Sequence, residues 1–166
     1  MAEELELLAD AAAIGSGATI VMDSWAVLRK RLFGAPLPDY ALVGRWIGHM
    51  RRGQFRHEAI ARSSPVSGES AIGWIAHYAI GVAFAMVLLI FWGREWARQP
   101  TLGPALIVGL ATVVAPFLVL QPAFGAGIAA SRLPNPNVAR LHSVLTHLSF
   151  GVGLYLSAWA LHFMRG

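Results

Sequence analysis

Four polar side chains, Asp23, His77, Gln121 and His147, stand inside or at the end of apolar stretches of this 166-residue chain. An ionisable group in such a place costs a few kcal/mol to insert, so each is a functional candidate by default. The chemistry they suit is proton or ion handling: imidazole titrates near neutrality, and burial pushes a carboxylate toward it. Asp23 shares a helical stripe with Thr19, Ser16 and Ala12, which gives its segment a small, polar face. His77 lies four residues from both Gly73 and Gly81, and His147 four from Ser143 and Gly151, where a neighbouring backbone can approach closely. The expected ligand- or proton-binding set is therefore Asp23, His77, Gln121, His147 and Thr19. His142 is ~140° around the helix from His147 and does not share its pocket. The same groups would also serve as plain interhelical hydrogen bonds, worth about 1 kcal/mol each.

Two cofactor chemistries fit parts of this set. His77 and His147 have roughly matched depth, the minimum for haem held between helices, and a quinone site is open as well. Against haem, the opposite half holds no in-span histidine apart from the marginal His162. Asp23, His77 and His147 are the candidate metal ligands, one carboxylate and two imidazoles, although no HExxH-type spacing occurs.

The elements that must position these groups are membrane spans. The chain is 56% hydrophobic and 13% charged, too little charge to cover a soluble domain of this size. Its apolar residues fall in four blocks, about 11–28, 71–92, 102–121 and 138–163, each near the ~20 residues that cross ~30 Å of hydrocarbon. The expected fold is an all-α membrane protein, a single four-helix domain with a short interfacial helix between the first two spans. Trp74, Trp92 and Trp96 sit where interfaces should fall. Thr101 is a plausible cap for the third span, and Pro104 is tolerated in its first turn. Pro116 removes a helix donor and predicts a kink. The interfacial helix covers about 40–52 behind an Asp39 cap, with Tyr40, Val43, Trp46, Ile47 and Met50 on one face. Arg45, His49 and Arg52 lie on the other and are expected to meet lipid headgroups, with His49 and His57 at the surface.

Orientation follows from Lys and Arg. Arg29, Lys30, Arg31, Arg45, Arg51, Arg52, Arg56 and Arg62 border the first connection, and Arg132 and Arg140 the third. Only Arg94, Arg98 and Arg165 fall on the other side. The positive-inside rule then makes the first and third connections cytoplasmic and both termini external. The acidic start MAEELELLAD lacks the basic region of a cleavable signal, and the segment is expected to be retained. There is no cysteine, which excludes thiol redox chemistry, thiolate metal sites and disulfides. Neither Gly15-Ser16-Gly17 nor the GAGIAAS run at 125–131 makes a phosphate loop or dinucleotide fingerprint, and nothing supports nucleic-acid binding or hydrolase chemistry.

The strings GATIVMDSWAVLRKRLFG, DYALVGRWIGHMRRGQFRH, GWIAHYAIGVAFA, APFLVLQPAFGAGIAASR and LTHLSFGVGLY resemble a bacterial family of small multi-pass membrane proteins classed as a domain of unknown function. The resemblance runs from about Ile14 to Leu156 and implies an inner-membrane protein without transferring any catalytic residue. The expected role is small-ligand, ion or proton binding or transport, with a haem- or quinone-binding subunit, or an accessory protein of a membrane complex, as the alternatives. The expected partners are the lipid bilayer and a second copy or another membrane subunit, with Gly15, Gly17, Gly81, Gly151 and Gly153 as close-packing surfaces for assembly.

Overall fold

The computed structural model describes residues 1–165, which form helices and the loops that join them, with no strand among the described residues. Helix α1 (Ala2–Phe33) is followed by α2 (Tyr40–Met50), a single 3-10 turn at Ile60–Arg62, and α3 (Glu69–Arg98). Then come α4 (Leu102–Ala111), a π-helical stretch at Pro116–Leu120, the short α5 (Gln121–Ala123), a 3-10 turn at Ile128–Ala130, and α6 (Pro136–Arg165). Four segments, Ala2–Phe33, Glu69–Arg98, Leu102–Ala123 and Pro136–Arg165, are long and apolar enough to cross a membrane.

Local chemistry sets these limits. α1 stops where Gly34 takes φ 66° and its N–H reaches the Lys30 carbonyl, with prolines at 36 and 38 preventing continuation. Asp39 caps α2 as its spacing predicts, accepting from the Ala41 N–H at 3.1 Å. α3 loses helical geometry at Gly93 (φ 76°, ψ 167°), directly after Trp92, where the sequence ends the second span. The third span is broken, as Pro116 requires: α4 ends at Ala111 and the chain widens into the π-helical stretch. Thr101 does not cap α4 through its side chain; its carbonyl instead accepts the Trp96 indole N–H at 3.2 Å. Trp96 is accordingly buried and is not an interfacial anchor, whereas Trp74 and Trp92 are exposed.

Contacts divide the chain into two compact units, each assembled from discontinuous stretches. The first comprises Met1–Leu37, Tyr78–Thr112 and Thr146 onward, that is α1, most of α3, α4 and the second half of α6. Its core is built from Ala11, Ile14, Ala18, Ala85, Leu88, Leu89, Ala105, Val108, Phe150, Leu154 and Ala158, small residues alternating with large ones. Glycines set the crossings. A Cβ on Gly15 would lie 2.5 Å from the Val82 Cα, one on Gly109 2.5 Å from the Gly151 Cα, and one on Gly153 2.8 Å from the Ala18 Cα. These glycines close the chain on itself, and Gly17 packs against Ser157 in the same way. They therefore do not offer the assembly surfaces that their spacing suggests.

The second unit comprises Pro38–His77 and Val113–Leu145. Here α2 crosses the start of α3 with backbones nearly touching: a Cβ on Gly44 would overlap the Glu69 carbonyl, and one on Gly73 the Tyr40 carbonyl. The segment 57–60 is pinned to the end of α5 by His57 N–H to Ala123 O (2.9 Å) and Ile60 N–H to Phe124 O (3.2 Å). Gly125, at φ 94°, admits the Glu58 carbonyl where any side chain would collide.

Candidate functional site

In the first unit, Asp23 is half-buried on α1, and the Tyr78 hydroxyl of α3 donates to its Oδ2 at 3.5 Å. Thr19, one turn away, is buried; its hydroxyl donates to the Gly15 carbonyl at 2.8 Å and fills the gap over Gly81. Thr19 is thus a packing residue whose donor is already committed. His147 of α6 lies 2.7 Å, Nδ1 to Oγ1, from Thr112, and that hydroxyl is 2.6 Å from the Gly109 carbonyl. A carbonyl only accepts, so the single hydroxyl proton goes to Gly109 and the oxygen accepts from His147. That bond puts a proton on His147 Nδ1. Thr112 is the residue that sequence pattern missed. Pro116 signals that its carbonyl loses a donor, but nothing in the spacing ties its hydroxyl to His147, 35 residues on.

The second unit holds the other two expected residues. His77 stacks on Tyr40, with ring centroids 3.9 Å apart and planes at 21°, and Trp74 meets both rings edge-on. The Gln121 amide donates to the Ser143 hydroxyl at 3.2 Å while its Oε1 is buried without a partner. Among the described residues no group of three or more His, Cys, Asp or Glu side chains is arranged to hold a metal ion, Asp23, His77 and His147 included.

The polar face of α2 differs from its expected role. Arg45 and His49 do not meet headgroups. Arg45 grips Glu69 through Nε (2.9 Å) and Nη2 (2.7 Å), while Nη1 donates to the carbonyls of Ile60, Ala61 and Ser63. The hydrogen bonds that Arg45 donates to Glu69 outweigh burial and raise the Arg45 pKa above its ordinary value. His49 is buried, 5% exposed, and His57 at 8% is not a surface residue either. The physical reason is that the chain after α2 folds back over that face, so protein carbonyls replace the lipid phosphates. Arg52 alone of the three stays exposed.

Nor is the half of the first unit nearest the chain ends purely apolar. Asp10 is buried with Arg165 Nη2 at 2.5 Å from its Oδ1, and Glu6 pairs with Arg94. These groups line a cleft of about 520 Å³ with Arg98 and His162. The sequence shows the arginines only as topology-setting charges and the carboxylates only as an acidic start, because the partners lie far apart in the chain.

Outside this cleft the spans present apolar side chains outward: Ile75 is 71% exposed, Phe91 77% and Phe163 72%, with Ile20, Ile90, Ile107 and Leu118 all exposed beyond half. Patches of that extent are tolerated by lipid and not by water. A helical chain with four such spans and polar groups held inside them is an integral membrane protein. It belongs to the family described as Protein of unknown function (DUF2938), which it matches over residues 12–161. No curated protein and no solved structure matches it.

Proposed function

We propose that this is a multi-pass protein of the bacterial cytoplasmic membrane, both termini outside, that binds and moves a proton or small cation within its spans at Asp23 and His147. The observation that carries the proposal is the pairing of these two in-span ionisable groups with hydroxyls. The Tyr78 hydroxyl lies against Asp23, and the Thr112 hydroxyl holds His147 by its Nδ1. A hydroxyl stabilises either charge state of its neighbour, donating to a carboxylate or accepting from an N–H, and so suits a group that must change protonation. Between Asp10 and Thr19, α1 carries the fully buried Ala11, Ile14 and Ala18. That dry stretch is unlike a continuous water-filled pore and fits binding followed by a change of access.

The test is proton or cation flux into liposomes containing purified protein, read with an entrapped pH- or ion-sensitive dye. Asp23→Asn and His147→Ala should each lower the flux about tenfold or more, since each removes a proton-carrying group. Thr112→Val should lower it less, because it loosens the imidazole without removing it. Flux unchanged in both Asp23→Asn and His147→Ala would overturn the proposal. In the second unit, His77→Ala and Gln121→Ala examine whether those groups belong to the same activity.

A further inference from the structure

The connection between α2 and α3 holds a cleft of about 620 Å³ lined by Gln54, Arg56, His57, Glu58, Arg62 and Ser63, all in the second unit. Arg56 and Arg62 are exposed, and among the described residues neither guanidinium has a carboxylate or hydrogen-bond partner. His57 behaves differently: it is buried and hydrogen-bonded on one side only.

The tautomers in this cluster are determined by a carbonyl. His49 Nε2 lies 3.0 Å from the Ser64 carbonyl, which only accepts, so that nitrogen carries a proton. In the neutral ring His49 Nδ1 is then an acceptor, and the His57 Nε2 that lies 2.8 Å from it must donate. The lone pair of the neutral His57 falls on Nδ1, which is buried with no partner. His57 Nδ1 is the one nitrogen of the two rings not already hydrogen-bonded, so a proton taken up by the pair is accommodated there without breaking a bond. A buried N–H of an imidazolium without an acceptor is costly. A negative charge in the adjoining cleft offsets that cost and is held at the same time by the two arginines.

We propose that this cleft binds a phosphate- or sulfate-like oxyanion, and that the anion is taken up together with a proton on His57. The charged groups around the imidazole are His49, Glu58, Arg56 and Arg62. Arg45 and Glu69, already paired with each other, hold the turn that carries Ser63. Glu58 opposes the anion. By the orientation proposed above, the cleft faces the cytoplasm beside the membrane. A free anion and the phosphate of an anionic lipid headgroup are therefore two sources of one chemistry.

The experiment uses the full chain in neutral detergent with sulfate as probe, since sulfate keeps its charge throughout the range in which imidazole titrates. Calorimetric titration should show saturable binding that tightens as the pH is lowered. Arg56→Gln with Arg62→Gln should weaken it about tenfold or more, and Glu58→Gln should strengthen it. Binding to His57→Gln should persist with little dependence on pH. In the second arm, the protein is released from phosphatidylcholine bilayers containing phosphatidylglycerol, and retained lipid is counted by native mass spectrometry. Phosphatidylglycerol retained by the native chain and lost by the Arg56/Arg62 variant, with no sulfate binding, assigns the site to a headgroup. Failure of both probes to bind, equal binding by the arginine variant, or pH dependence that survives His57→Gln would overturn the proposal. The gain expected from Glu58→Gln distinguishes a true loss of site from misfolding, and none of these residues takes part in the proposed flux.

Discussion

Arg45 is engaged on every side: both Glu69 oxygens and three backbone carbonyls receive its protons. Arg45→Met would leave the half-buried Glu69 carboxylate with the Val66 N–H and no counter-charge, and would strip three carbonyls of the Arg45 donor. The loss should be roughly 2–3 kcal/mol, in the range of charge-assisted hydrogen bonds with several partners. The check is the thermal midpoint in detergent. Arg45→Lys should recover only part of it, because an ammonium is a point charge and does not reproduce the planar fork. The sign of any pH dependence follows from the raised Arg45 pKa and the lowered Glu69 pKa. The pair's contribution is complete at neutral pH. It is lost as the pH falls toward the Glu69 value, held down to about 2 by the hydrogen bonds from Arg45, and on the other side only in strongly alkaline solution. Little of this was legible from residues alone. The spacing Arg45, His49, Arg52 defines a polar helix face whether headgroups or a folded-back loop will cover it, and Glu69 lies 24 residues away. Asp23 and His147 were legible as in-span polar groups, but not the hydroxyls that orient them.

At the scale of elements, glycine positions decide which helices cross. In the second unit, Gly44 and Gly73 bring α2 and α3 backbones together so closely that an added methyl meets carbonyl oxygen and carbon rather than a yielding side-chain end. Gly73→Ala should therefore lower the melting temperature sharply or abolish recovery of monodisperse protein in detergent, by a mechanism of overpacking worth roughly 1–3 kcal/mol or more. Gly103→Ala is the matched control. It sits in α4 with open space where the methyl would go, and should be neutral or stabilising by up to about 1 kcal/mol. Equal effects in the two variants would refute the backbone-contact explanation. The number of spans follows from the four apolar runs, although the helices extend past those runs, as α1 does from Ala2 to Phe33. The break at Pro116 follows from the missing proline donor, and the α2 start from Asp39. The sequence does not reveal the conformation of 125–131, where Ala129 and Ala130 take φ 47° and 59°. Left-handed alanine has no local signal; tertiary bonds such as Arg140 Nε to the Ala129 carbonyl at 2.8 Å hold it.

For the molecule as a whole, the solvent is the deciding variable. Lipid tails are as apolar as the side chains, so burying Leu88 or Leu154 gains mainly dispersion contacts, and stability rests on close packing of small residues and on satisfied polar groups. Ten of the thirteen Lys and Arg residues border the first and third connections. Moving that set outward across the bilayer would oppose the bias that fixes topology during insertion. The chain has no cysteine, so single introduced thiols report orientation without background. Glu3→Cys before the first span and Gln99→Cys between the second and third should react with a membrane-impermeant maleimide on intact cells freed of their outer membrane. Ser67→Cys and Asn135→Cys, in the basic connections, should react only after the membrane is opened. All four positions are exposed, so burial does not distort the comparison. The reverse pattern would turn the protein over and place the oxyanion cleft outside. Labelling of all four sites in intact cells would refute the four-span topology itself.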